Sequence, residues 1–253
     1  MTNQEILQIA MKQSAVDIGC QAEDFCRGEN KVVTYQKRAA ARNNFGGFSH
    51  FCSLISYGNN TVASVDERIV HAVVDYVRQV PFYRCFETPY SRGLANILLP
   101  YGMEIGLARE GFLPDLDILR PLSCSYPVKI LTPSEFAHFY TDPWTRNALR
   151  RDYRHLDVLA VGAYDGSRLI GLAGCSADCA VMWQIGIDVL PDYRKQGVAS
   201  ALTSTLACEV LKQDKIPYYC CVWANIPSAR NAMRSGFRPA WVEMTAESIK
   251  PDM

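Results

Sequence analysis

The chain has 253 residues, 26 Lys plus Arg balanced by 26 Asp plus Glu, and a hydrophobic content of 49%. That length and mix describe one large or two modest globular domains with a substantial core. The charge balance gives no overall field to draw the protein to nucleic acid or an anionic membrane, and no apolar run approaches the roughly 20 residues that span a bilayer.

The first segment, residues 3–18, is interrupted by Gln4-Glu5, Lys12 and Asp17. It therefore predicts an amphipathic helix and not a signal peptide, and a cytoplasmic protein is expected. Next, the apolar stretch His50 to Tyr57, the turn Gly58-Asn59-Asn60 and the run Thr61–Val65 predict a β-hairpin. Asp66-Glu67 then open a helix through Gln79, with Ile69, Val73, Tyr76 and Val77 on one stripe. The end of this half, LLPYGMEIGLAREGF, has a short apolar run and turn glycines. This half reads as α+β. Arg84, Glu87, Tyr90 and the Asn59-Asn60 pair are polar residues that could meet a small molecule, although surface placement is the default for each. At FLPDLDILRPLSCSYPV three prolines and a change of pattern divide the chain near residue 122, giving expected domains 1–122 and 123–253.

The second half has a sharper pattern. Asp157–Tyr164 and Arg168–Gly174 are apolar runs joined by Asp165-Gly166-Ser167, a strong hairpin signal. The β-branched run MWQIGIDVLP follows and stops at Pro191. From Gly197 to Lys212 the pattern is helical, with Val198, Leu202, Leu206 and Val210 four residues apart. A strand is expected at Pro217–Trp223. A second helix over Ile226–Ser235 has Asn225 as N-cap, Pro227 in its first turn and Gly236 as its stop. Phe237–Met244 closes this domain as a strand.

Ten cysteines invite a metal or disulfide reading, but their spacings form no C-x-x-C pair and no His cluster completes a site. Cys52, Cys220 and Cys221 lie in apolar runs where a thiol behaves as a small core hydrophobe, so structural thiols and no metal are expected. Cys175 and Cys179 flank Asp178 in a turn, either a wall of a binding pocket or a neutral connection.

The segment with chemical content is IGIDVLPDYRKQGVASALTSTL. A strand ends at Pro191 and a short loop delivers the chain to a helix N-terminus at Gly197. Helix N-termini present unpaired N–H groups and a positive dipole end, and so bind phosphate. Gly197 allows close approach, Ala199 keeps the first turn slim, and Arg194 and Lys195 add positive charge. Neither G-x-x-x-x-G-K-[ST] nor G-x-G-x-x-G is present, so this is neither of those phosphate loops. The bland alternative is a plain strand–loop–helix joint.

Arg194-Lys195-Gln196-Gly197-Val198-Ala199 resembles the acyl-CoA loop [QR]-x-x-G-x-[GA] of the GNAT superfamily of N-acetyltransferases. Val189-Leu190-Pro191-Asp192-Tyr193-Arg194 is similar to that family's V-x-P-x-Y-R, and Asn225-Ile226-Pro227-Ser228 with Ser235-Gly236-Phe237 to its N-x-x-S…G-F signature. The resemblance covers about residues 126–253. It implies a mixed α+β fold with a twisted, mostly antiparallel sheet and flanking helices, here preceded by a smaller α+β domain. It further implies acetyl-CoA as co-substrate and direct attack on the thioester by an amine, with no covalent enzyme intermediate and no metal.

Residue by residue, the resemblance implies that the strand holding Asp188 and Val189 bulges and splays from the next one. Pantetheine would lie in the gap against Val189 and Leu190, with the Val189 N–H polarising the thioester carbonyl. Backbone groups of Arg194, Lys195, Gln196, Gly197, Val198 and Ala199 would hold the pyrophosphate. Asn225 would meet the pantetheine arm, with Ser228 and Arg230 nearby. The chain departs from the family at Ala232, where many members carry a Tyr that protonates the leaving thiolate.

Candidates for the base that takes the amine proton are Asp188 and, behind it, His155. The competing role of Asp188 is to cap a bulge or to point to solvent, and that of His155 is a solvated loop residue. Tyr218, Tyr219 and Trp223 are expected to pack against the helices, and Glu243 to be a surface charge. Three functions follow: acetyl transfer to a small-molecule amine, acetyl transfer to a protein or peptide, or acyl-CoA binding without catalysis. The first half would cover the acceptor side, and the resemblance also allows a homodimer.

Overall fold

In the computed structural model, residues 1–36, 38–42 and 51–249 are described. Contacts group residues 1–6 with 112–239 in one unit and residues 7–111 with 240–253 in another. The sequence pattern suggests one division, near 122. The observed divisions fall at 6/7, 111/112 and 239/240, inside a helix and two strands, and only the last coincides with a proline, Pro239.

In the 112–239 unit, strands β5 (Val128–Leu131), β6 (Asp157–Asp165), β7 (Arg168–Ser176), β8 (Met182–Val189) and β9 (Ile216–Val222) lie in the order β9-β8-β7-β6-β5. All pairs are antiparallel except β8 with β9, which a helix crossover makes parallel. That helix, α5 (Val198–Leu211), sets the expected stripe Val198, Leu202, Leu206 and Val210 onto Val161, Ala163, Ile170, Ala173 and Ile185. Each such side chain, fully buried, is worth about 1.5–3 kcal/mol. Helix α6 (Ile226–Arg234) adds Ala232 to this core, and Asn225 caps it, its Oδ1 accepting from Ser228 N at 3.2 Å.

The opposite sheet face is covered by residues 133–149, a one-turn helix (Pro133–Phe136) and a chain of turns. Trp144, Ala148 and Leu149 pack there on Ala160, Leu169 and Leu172. The approach is so close that a Cβ on Gly174 would overlap the Ala148 carbonyl, and one on Gly186 the Asn147 carbonyl. Small residues at these two sheet positions let a backbone lie directly on the strands.

In the 7–111 unit, the hairpin expected around Gly58 forms β2 (Cys52–Ser56) and β3 (Val62–Val65), antiparallel. His50, at the start of that expected run, lies outside the described residues. A short β1 (Lys31–Thr34) pairs parallel with β3. The helix predicted from Asp66 opens as a single 3-10 turn and continues as Val70–Gln79; it packs Val73 and Val77 with Leu54, Val65, Leu94 and Leu98. The first helix, Asn3–Ile18, has the expected bounds.

Three expectations are corrected here. The final strand, β10 (Phe237–Ser248), does not close the 112–239 unit: from Ala240 it belongs to the 7–111 unit and pairs with β2, Val242 opposite Ser56. Glu243 is buried, accepting from Trp241 Nε1 at 3.2 Å, with Arg109 at 3.8 Å. Asn60 is also buried: its amide donates to Asp24 O at 2.6 Å and Glu29 O at 2.8 Å, so it ties the turn to an earlier loop. Asp17 and Arg42 form a fully buried ion pair at 2.5 Å in the same unit. Burial pushes the Cys52 thiol up to about 12 and the Cys175 thiol well above its usual range, as for packed core thiols.

Candidate functional site

Strands β8 and β9 pair at Met182↔Ile216, Trp183↔Pro217 and Gln184↔Tyr218 and then part. On its other edge β8 keeps its partner β7 as far as Val189↔Gly171. Leu190 N–H continues that ladder to Ile170 O at 2.9 Å. Alternation by two then turns the N–H groups of Gly186 and Asp188 to β7, and those of Ile185, Ile187 and Val189 to the open edge. The Val189 carbonyl, on that same edge, accepts from Arg194 Nε at 3.1 Å. A row of strand N–H groups thus lines a gap that opens beyond Gln184.

The gap leads to the loop singled out by its sequence. Pro191–Tyr193 form a single turn, and Lys195 (φ 60°) and Gly197 (φ 82°) then bring the chain onto the α5 axis. A Cβ on Gly197 would meet nothing within 4 Å, so the glycine answers the backbone angle and leaves the helix end open. The helix's first 5→1 bond runs from Ala201 N to Gly197 O at 3.0 Å. The preceding N–H groups therefore point out of the N-terminus, where an anion is favoured.

Arg194, Lys195 and Gln196 are exposed beside this helix end, Val198 is buried and Ala199 half-buried. Gln196 accepts from Tyr126 OH at 2.8 Å and donates to Asp192 O at 2.9 Å, while Tyr193 OH reaches Asp165 at 2.8 Å. These bonds brace the loop from both sides.

Across the gap, Ser228 in the first turn of α6 shares a 2.8 Å hydrogen bond with Tyr219 OH. Burial raises the Tyr219 phenol and keeps it protonated. Tyr219 faces the helices as expected, with Phe112 and Phe237 about its ring. Arg230 and Trp223 are exposed, Trp223 at 40%, contrary to the packing expected of it. Tyr218 also departs from expectation. Its side chain is buried among polar groups, its hydroxyl 2.5 Å from Asp178 and 3.3 Å from Gln184 Oε1.

Asp188, the candidate base, is buried and fully engaged. Its Oδ2 accepts from Asn147 N at 2.9 Å and Ala148 N at 2.8 Å, and its Oδ1 from Asn147 Nδ2 at 2.8 Å. Three donors occupy both oxygens and leave no geometry for taking an amine proton; the carboxylate caps the Asn147–Ala148 turn, and β8 keeps its register with β7 through Val189 without the bulge expected there. His155 is exposed in the turn before β6, next to Tyr153.

The sequence gives no sign of a second acid pair. Asp157 Oδ2 accepts from Tyr140 OH at 2.9 Å and Arg150 N at 2.8 Å. Burial raises this carboxyl to about 6, against the pull of the Arg150 N–H, the Tyr140 hydroxyl and the Arg150 charge. Asp178, in the turn expected to be neutral, is buried and ion-paired with Arg150 through a short contact, with Ser176 Oγ at 2.9 Å.

A strand that parts from its neighbour, strand N–H groups along the gap and an anion-favouring helix end at its mouth all lie within one stretch that a family model matches. Residues 126–237 match the model of the acetyltransferase (GNAT) family. No curated protein matches the chain. Among solved structures, a GCN5-related N-acetyltransferase-like protein from Streptococcus suis is 16% identical, with a TM-score of 0.46 over 64% of this chain and 68% of its own. A GCN5-related N-acetyltransferase from Kribbella flavida is 16% identical with a TM-score of 0.49, over 63% and 65% of the two chains. A GNAT-family acetyltransferase from Colwellia psychrerythraea is 14% identical with a TM-score of 0.43, over 62% of each chain. The matched stretch thus spans about two thirds of those proteins. Among the described residues, no helix is long and apolar enough to cross a membrane.

Proposed function

We propose that the protein transfers an acetyl group from acetyl-CoA to the amine of a small molecule. The observation that carries this reading is the parting of β8 and β9 beside the open N-terminus of α5. Pyrophosphate would sit on the N–H groups of residues 194–199, with Lys195 and Arg194 supplying charge. Pantetheine would run along the free edge of β8 to Leu190, Val189 and Ile187, and Asn225, Ser228 and Arg230 would line its other side. When the amine adds to the thioester carbonyl, the oxygen gains negative charge. An N–H of Val189 or Ile187 on the free edge, held in place by the strand's ladder to β7 on its other edge, would stabilise it without reorganising. The C–S bond then breaks, the nitrogen gives its proton to water, CoA leaves as the thiolate and the amide is released.

The residue expected to protonate the thiolate in many members is here Ala232, which is buried. CoA thiolate is stable enough in water to leave without a dedicated acid, and Asp188 is committed to hydrogen bonds. We therefore assign the rate advantage to positioning and to the N–H row.

Acetyl-CoA binding by calorimetry, in wild type and Gly197→Asp, tests the reading. The variant places a carboxylate at the helix end, where space is open but the backbone angle of 82° strains any side chain, so its fold is checked by urea unfolding alongside; the folded variant should bind at least about tenfold more weakly. Equal affinity in both proteins, or no binding by wild type, refutes the phosphate seat. Thiol release in the presence of amino acids, polyamines and aminoglycosides then separates an enzyme from a non-catalytic acyl-CoA binder.

A further inference from the structure

On the α5 side, the splayed stretch of β8 is filled: Val198, Leu202, Ile185, Ile187 and Val189 belong to one packed core. An acceptor can therefore reach a thioester lying along Ile185–Val189 only from the opposite side. There Asn147 and Ala148 rest on the sheet, with their carbonyls over Gly186 and Gly174. This segment has no regular secondary structure to hold it.

Three carboxylates grip it instead. Asp188 takes both backbone N–H groups of Asn147 and Ala148 and the Asn147 amide, at 2.8–2.9 Å. Asp157 takes the Arg150 N–H at 2.8 Å, and Asp178 holds the Arg150 guanidinium together with Ser176. All three acids are at least nine-tenths buried. Burying a carboxylate is costly, and apolar packing of Trp144 and Leu149 would alone keep a loop down. Three desolvated charges on four residues fix a position and not merely a cover.

We propose that Asp188, Asp157 and Asp178 are positioning residues for the acyl acceptor, clamping Asn147–Arg150 as the wall against which the acceptor amine is aimed at the thioester. This rests on the acyltransferase reading above. The clamp acts through the segment, so its loss changes how the acceptor is held and leaves the CoA seat at Gly197 as it was.

The test uses the full chain and whichever amine of the panel gives the fastest release of thiol. Asp188→Asn keeps one oxygen for the two backbone donors; Asp188→Ala keeps none. Gly186→Ala leaves every carboxylate in place and pushes the Asn147 carbonyl off the sheet. The acceptor KM should rise in the order wild type, Asp188→Asn, Asp188→Ala, by roughly tenfold to a hundredfold at the end of the series. Gly186→Ala should raise it too, with acetyl-CoA affinity unchanged in all three and faster hydrogen exchange at the Asn147 and Ala148 amides. If Asp188→Ala does not fold, Asp188→Asn and Gly186→Ala carry the comparison. An unchanged acceptor KM with faster exchange at those amides overturns the proposal and leaves the acyltransferase intact. No acetyl-CoA binding or no thiol release by wild type overturns both.

Discussion

Replacing Asp157 by Asn changes stability in a pH-dependent way that follows from its surroundings. Asp157 is 4% exposed; one oxygen holds Tyr140 OH and the Arg150 N–H, and the other, Oδ1, is buried with no hydrogen-bond partner among the described residues. Burial raises its pKa from 3.8 to about 6. Between these two values the unfolded chain releases the proton first, so the folded state loses stability as pH rises. The contribution is fully present below about pH 4, is lost through the folded pKa near 6, and stays lost above it. At 1.36 kcal/mol per unit, the span from 3.8 to about 6 corresponds to about 3 kcal/mol.

Asn cannot ionise, and its single oxygen can still accept from Tyr140 and Arg150. The stability of Asp157→Asn relative to wild type should therefore climb by up to about 3 kcal/mol between about pH 4 and 6.5 and then level off. Urea unfolding of both proteins at a series of pH values gives this difference directly, because groups common to both cancel. A difference that is flat over that range, or that falls with rising pH, refutes the argument.

Two further outcomes test the packing. Gly174→Ala places a methyl group against the Ala148 carbonyl and should cost about 1–3 kcal/mol in urea unfolding; a neutral effect would show that residues 147–149 can lift without loss. Asp17→Ala removes the carboxylate of a fully buried ion pair with Arg42 and should cost about 3–5 kcal/mol, whereas replacing the pair together should cost less. Additive single and double variants would refute the coupling.

What could be read from the sequence was what neighbouring residues decide. Asp165-Gly166 fixes the β6–β7 hairpin, the four-residue spacing from Val198 fixes the buried stripe of α5, and Gly197 marks the turn onto its N-terminus. The loop and the gap beside it share this local origin, since β8 must turn at Pro191 to feed the helix. The clamp was not legible, because Asp188 meets Asn147 across 41 residues and Asp178 meets Arg150 across 28. No periodicity records such a meeting. The strand Met103–Pro114 was missed for another reason: its first half is partly exposed on both faces, so apolar and polar residues do not alternate cleanly. Asn60 looked like a turn-tip residue by composition, yet its amide is spent on carbonyls some 30 positions earlier.

The entry of residues 240–248 into the 7–111 unit sets the order in which that unit can be finished. Strand β2 pairs on one side with β3, available as soon as the hairpin is made, and on the other with β10, which is synthesised only after residues 112–239. Until then Ser53–Ser56 present a bare strand edge, the kind of surface that recruits other chains. Synthesis must therefore complete the 112–239 unit's sequence before the earlier unit gains its last strand. A fragment cut at residue 111 or 122 should be prone to aggregate, while one in which 240–249 is rejoined to 7–111 by a short linker restores the missing edge partner.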